Sequence, residues 1–137
     1  MQMIVCLDNQ AGMCFNRRRQ SRDRVVTDKI CDIVGNKTLY INEYSSSLFT
    51  EKDVSVTASE DYLRNAADAD GVAFIERDSV DAVLEKVHTL YVFRWNRDYP
   101  ADMSFPLESF AEILTIKEIC EFPGNSHEKI TLEVYKK

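Results

Sequence analysis

Glycine occurs only four times and proline three times in the 137 residues, and the glycines never fall at P-loop spacing, so a glycine-built phosphate cradle of that kind is excluded. Histidine occurs twice, as His88 and His127. Neither has a second His or Cys at ligand spacing, so no metal site is expected, and neither supplies a credible catalytic triad. The serine run Ser45-Ser46-Ser47 lacks the Gly-x-Ser-x-Gly setting of a nucleophile elbow. The four cysteines, Cys6, Cys14, Cys31 and Cys120, form no CxxC pair. Cys6 and Cys120 lie in apolar strand-like runs where cysteine behaves as a small hydrophobe. A reduced, cytoplasmic chain is expected rather than a disulfide framework. No apolar run approaches the roughly 18 residues a membrane-spanning helix requires, and MQMIVCLDN meets a charge too early for a signal peptide. Internal repeats and low-complexity segments are absent.

What is present is an ordinary core and one anomalous stretch. With 45% hydrophobic residues, the chain fits a single domain, residues 1–137, that buries one compact core. It is acidic, with a net charge of −6, which argues against broad coating of nucleic acid. Yet Arg17, Arg18, Arg19, Arg22 and Arg24 lie within eight residues that contain a single acid, Asp23. That octet carries five positive charges and one negative, so the rest of the chain stands at −10. Any anion site must be local.

Met3–Leu7 is a nearly unbroken apolar run, which predicts an opening strand buried on both faces, with a turn at Asp8–Gly12. Val25, Val26, Ile30, Ile33 and Val34 have helical spacing, so Arg24–Val34 is predicted helical, with Ser21 as N-cap and Gly35 as the stop. Lys37–Asn42 reads as a strand, and Glu43–Phe49 as a short helix or loop. Val54–Thr57 alternates as a strand, and Thr57 with Glu60 has capping-box spacing for a helix through Ala67. Val72–Ile75 is a strand, Ser79 caps a helix carrying Val80, Val83, Leu84 and Val87, and Leu90–Phe93 is a strand. Strands alternating with amphipathic helices imply a mostly parallel sheet with helices on both faces. Ala111–Glu118 and Ile130–Tyr135, separated by Phe122–Ser126, predict an antiparallel pair added to the sheet edge.

MIVCLDNQAGM, with Asp8 and Gly12, NKTLYIN at Asn36–Asn42, VHTLYVFRW at Val87–Trp95, DMSFP at Asp102–Pro106 and the closing CEFPGNSHEKITLEVYKK together resemble the dihydrofolate reductase family. The resemblance implies an α/β fold: a dihydrofolate-reductase-like three-layer sandwich, a mostly parallel sheet with helices on both faces and a C-terminal antiparallel hairpin. It also implies an NADPH cofactor, but the words that would hold one have changed. Where the family has a glycine pair after the strand at Val72–Ile75, this chain has Glu76-Arg77-Asp78-Ser79, whose carboxylates repel a pyrophosphate. The family's Gly-Arg after the strand at Asn36–Asn42 is Asn42-Glu43. The proline and tryptophan of its mobile loop are missing from Met13–Gln20, and its substrate-contacting threonine falls at Phe93.

The family's acidic residue near the start of the first helix, which holds a pterin ring, falls at about Asp23. An ionised Asp23 could accept two hydrogen bonds from an amidine-like ring edge, or merely neutralise its neighbours. Arg17, Arg18, Arg19, Arg22 and Arg24 offer forked donors for an anion-binding lip at a helix N-terminus; the alternative is a solvated loop paired with surface acids. Arg94 and Trp95 follow a strand's carboxyl end, where open α/β sheets present ligand groups, although an arginine stacked on Trp95 or an edge-packing loop would account for them too. The leading expectation is a divergent member of the fold that binds a small anionic or nucleotide-like ligand at the cleft. An active NADPH-dependent reductase of a pterin- or pyrimidine-like substrate is the second. A non-enzymatic protein whose basic loop binds RNA or an acidic protein is the third, with Phe15 the one aromatic close enough to stack.

Overall fold

The computed structural model describes residues 1–137. Ten strands and three α-helices follow the chain as β1 (Gln2–Leu7), β2 (Gly12–Phe15), β3 (Arg18–Arg19), α1 (Arg24–Val34), β4 (Thr38–Ile41), β5 (Ser55–Ala58), α2 (Tyr62–Asp68), β6 (Val72–Ile75), β7 (Thr89–Arg94), β8 (Met103–Ser104), α3 (Leu107–Ile113), β9 (Thr115–Phe122) and β10 (Ile130–Lys136). Two 3-10 helices, Glu43–Leu48 and Asp81–Lys86, fill the remaining connections. Seven strands form one sheet in the order β5, β4, β6, β1, β7, β10, β9. The first five run parallel, and β10 enters antiparallel between β7 and β9. No helix is long and apolar enough to cross a membrane.

β1 lies at the centre because nearly every one of its residues is apolar. Met3, Val5 and Leu7 point into a core shared with Tyr62 and Ala66 of α2 and Phe110 of α3. Ile4 points the other way, into a core with Val26, Ile30 and Val34 of α1. The period-two alternation of a strand therefore serves two hydrophobic layers, as both-face burial requires. Phe93, where the resemblance places a substrate-contacting threonine, is fully buried on the α1 side and meets Phe122 edge to face at 6.3 Å.

Several local expectations change. Asp23, not Ser21, caps α1: its side chain accepts from the Val25 N–H, while Gly35 ends the helix at φ 59° as expected. Thr57 is committed to β5, so α2 starts later, after Asp61, with no side-chain cap. The Ser79 segment closes only a 3-10 helix. Ala111–Ile113 belong to α3, and the strand begins at Thr115. Cys120 is exposed rather than a small core hydrophobe, because β9 is an edge strand that no layer covers. The Met13–Gln20 segment, which shows no period in sequence, is a tight hairpin of β2 and β3. Its turn residues Asn16 and Arg17 have φ values of 52° and 61°, the backbone of a two-residue turn matched to strand twist.

Brief alkylation of the native chain should modify Cys120 first. The Cys6, Cys14 and Cys31 thiols are pushed up by burial and hold back their thiolates. Peptide mass spectrometry reads the order, and equal labelling of Cys14 would contradict this edge-strand placement.

Candidate functional site

The carboxyl ends of β1, β6 and β7 open towards the head of α1, where open α/β sheets place ligands. Three features converge there: a small, mainly apolar cavity, an ion-pair latch at its rim, and an open polar cleft beside it.

The cavity is small, about 20 Å³, and its walls include Cys6, Met13, Val26, Ile30, Phe74 and Trp95, with Gln20, Ser21 and Glu76 among its polar members. Ligand pockets commonly reach 300 Å³ or more. The hairpin of β2 and β3 narrows this one, contributing Met13 and Arg19 to its walls. Arg19 donates twice to Glu76, from Nε at 2.7 Å and Nη2 at 2.9 Å. Ser45 Oγ donates to the same carboxylate at 2.8 Å. The Arg19 and Arg77 guanidiniums lie over the Tyr44 ring, at 4.6 Å and 4.1 Å from its centre, and Tyr44 Oη accepts from the Arg19 backbone N–H. Arg17 Nη1 donates to the Arg77 carbonyl and Arg77 Nη1 to that of Arg17, with Asp78 within 3.8 Å of Arg17. Thus two of the five arginines, Arg17 and Arg19, meet the segment Glu76-Arg77-Asp78. Gln20 Oε1 and Arg77 Nε are the buried side-chain atoms left without a partner.

Asp23 holds the head of α1. Its oxygens accept from the backbone N–H groups of Val25, Asn125 and Ser126, from Ser126 Oγ and from His127 Nδ1. Burial by itself would raise the Asp23 carboxyl, but donation from Asn125, His127, Ser126 and Val25 outweighs it and holds the group far below the ordinary carboxylate range. The turn of the last hairpin can approach so closely because Gly124 has no side chain: a Cβ there would stand 2.6 Å from Asp23 Oδ2. The carboxylate that the resemblance aligns with a ring-binding acid is therefore occupied by the chain's own donors. Asp23 still borders the cavity, but along α1 itself the lining is Val26, Thr27 and Ile30, and the first turn carries no acid.

His127 is buried by the same turn. Its Nε2 lies 3.0 Å from Ser21 Oγ and 3.2 Å from Tyr99 Oη, and its ring stacks on Trp95 at 4.7 Å. Trp95 is thus a buried wall of the cavity, stacked by a histidine rather than an arginine. Sequence spacing shows no triad here, but the fold assembles serine, histidine and aspartate in one line. Arg94 is held within the chain, donating from Nε to Glu133 and from Nη1 to the Asp8 carbonyl.

The open cleft, about 370 Å³, lies between α1, the turn after Glu43–Leu48 and the last hairpin. Arg22, Arg24 and Lys52 line it, with Thr27, Ser47, Thr50, Asn125 and Ser126 among its hydroxyl and amide groups. Lys52, which nothing in the sequence singles out, pairs with Asp28 at 2.7 Å. Arg18 is exposed and has no part in the latch or the cleft.

No protein-family model matches the chain, and no curated protein matches it. Among solved structures, it is similar to a dihydrofolate reductase from Enterococcus faecalis complexed with NADP(H) and RAB-propyl, with a TM-score of 0.69 over 98% of this chain and 94% of that one. The fold is that of dihydrofolate reductase. At 15% identity the likeness is one of backbone architecture.

Two outcomes follow. A double-mutant cycle on Arg19→Gln and Glu76→Gln should give a coupling of about 1–2 kcal/mol in urea unfolding, reduced from a fully buried pair by the partial exposure of Arg19; coupling near zero would remove the latch. Asp23→Asn should cost about 1–3 kcal/mol at neutral pH. Because the folded pKa lies below the unfolded one, that stabilisation is complete above about pH 4 and is lost as the pH falls further. The gap between the parent and Asp23→Asn should narrow on acidification below that point.

Proposed function

We propose that this chain is a divergent protein of dihydrofolate-reductase fold that binds a small anionic or nucleotide-like ligand in the open cleft at the head of α1. The observation that carries the reading is the meeting of Arg22, Arg24 and Lys52 around a polar space of about 370 Å³. It lies at the N-terminus of an eleven-residue helix. Guanidinium and ammonium groups supply the charge and the forked donors, while the hydroxyls of Thr27, Thr50 and Ser126, whose protons go to acceptors of the chain itself, make the rest of the lining polar. Of the five arginines, Arg22 and Arg24 are the anion contacts in this reading, whereas Arg17 and Arg19 serve the latch. Trp95 contributes the apolar wall next to the cleft.

The second reading, an NADPH-dependent reductase of a pterin- or pyrimidine-like substrate, draws on the fold and on the NADP(H) complex of the similar structure. The residues present do not fit that cofactor. Glu76 and Asp78 bring negative charge to the segment where a pyrophosphate would need neutral backbone donors, and the latch leaves only about 20 Å³ beneath it.

Thermal denaturation with inorganic phosphate, nucleoside monophosphates and NADPH separates the two. A nucleotide at about 100 times its dissociation constant should stabilise by roughly 2.7 kcal/mol, and NADPH should give no more than its phosphates account for. Arg22→Ala/Arg24→Ala/Lys52→Ala should abolish the rise and lower the unliganded stability by no more than about 1 kcal/mol, the lost Lys52–Asp28 pair included. A nucleotide-dependent rise that survives the triple change would overturn the reading.

A further inference from the structure

We propose that Ser21 is a nucleophile with His127 as its general base and Asp23 as the positioning carboxylate, and that the chain hydrolyses short-chain carboxylic esters at the head of α1. The three residues stand in the order such catalysis requires. Ser21 Oγ is 3.0 Å from His127 Nε2, and His127 Nδ1 is 2.9 Å from Asp23 Oδ2. Nucleophile to base and base to carboxylate contacts of this length define the arrangement wherever it recurs, irrespective of fold or chain order.

The surroundings fix each partner in its role. Asp23 is ionised and can only accept, so Nδ1 carries the imidazole proton and Nε2 presents its lone pair to the Ser21 hydroxyl. Asp23 cannot swing away, because the backbone N–H groups of Val25, Asn125 and Ser126 hold it. Trp95 packs against one face of the His127 ring and sets its plane. Ser21 is half-buried and has no hydrogen-bond partner besides His127. The next two backbone N–H groups, those of Arg22 and Asp23, find no acceptor within the chain. They follow the nucleophile directly in the chain and are the donors this proposal assigns to the developing oxyanion.

The reaction balances with water as the only co-reactant. Ser21 Oγ bonds to the ester carbonyl carbon while its proton passes to His127 Nε2. The bond from that carbon to the leaving alkoxy oxygen breaks, and the proton on Nε2 goes to the departing alcohol. Water then adds to the acyl carbon, giving its proton to Nε2. The bond between Ser21 and the acyl carbon breaks, the acid is released and the serine hydroxyl is restored. Tyr99 Oη, 3.2 Å from Nε2, can accept from the imidazolium while Ser21 is bonded to carbon. The space of about 20 Å³ beside Ser21 limits the acyl group to a short one. A preference for an acyl group that also carries an acid rests on the anion cleft proposed above, since Arg22 and Asp23 border both spaces.

The test uses the intact chain with p-nitrophenyl acetate, p-nitrophenyl hydrogen succinate and a fluorophosphonate probe. The probe should label Ser21 by peptide mass spectrometry. Ser21→Ala, which removes a single oxygen and should keep the parent melting point, should lower kcat on acetate at least about 100-fold. Asp23→Asn should lower kcat on acetate at neutral pH with KM nearly unchanged, because the imidazole loses its fixed tautomer. Labelling of no serine, or of another serine, would overturn the assignment, as would a Ser21→Ala chain as active as the parent. The anion cleft is read separately, as the ratio of kcat/KM on the two esters: the triple change at Arg22, Arg24 and Lys52 should remove any advantage of succinate over acetate. Equal rates on both esters in the parent would overturn the acid preference, with the role of Ser21 still decided on acetate.

Discussion

Asp23 is the carboxylate on which the rest of the site depends. It closes the N-terminus of α1, accepts from the turn between β9 and β10, and orients His127. These contacts join residues about a hundred positions apart and bring a helix from one face of the sheet to a hairpin from its antiparallel edge. A buried carboxylate is costly unless several donors face it. The close approach at Gly124 and the free N–H groups of a helix start supply those donors in one place.

The second constraint is the exchange of charge between Arg19 and Glu76. At the carboxyl ends of the parallel strands this chain places a bidentate ion pair, stacked on Tyr44 and supported by Ser45. An acidic residue after β6 and a basic hairpin before α1 are each unexplained in isolation. Together they satisfy one another, and the concentrated positive charge of the octet is partly spent inside the molecule. Arg18 stays exposed and unused, and Arg22 and Arg24 meet Lys52 in the open cleft. One basic island thus serves a closed side and an open side.

Most of the sheet was legible in the chain because buried parallel strands need uninterrupted apolar runs, as in Met3–Leu7 and Val72–Ile75, and because Val26, Ile30 and Val34 repeat at helical spacing. Local reading failed where tertiary context outweighed local chemistry. Thr57 and Glu60 have the spacing of a capping box, but Thr57 is held in the ladder with Tyr40. Cys120 lies in an apolar run that nothing covers. At the site, Asp23 and the arginines were visible as types, while Lys52, Ser21 and His127 were not, since no local pattern connects a serine before α1 to a histidine in the last turn.

The sequence by itself determined the alternation of strands and helices, the two hydrophobic faces, the closing hairpin and the presence of a local basic island in an acidic chain. These are properties of periodicity and composition, which short stretches carry alone. Only the tertiary structure decided which charges are neutralised and which are free, that Asp23 faces inward to its own chain, and that Ser21 meets His127. Those outcomes depend on the distances between segments far apart in sequence, which the packing of α1 and the β9–β10 turn against the sheet sets and local spacing does not encode.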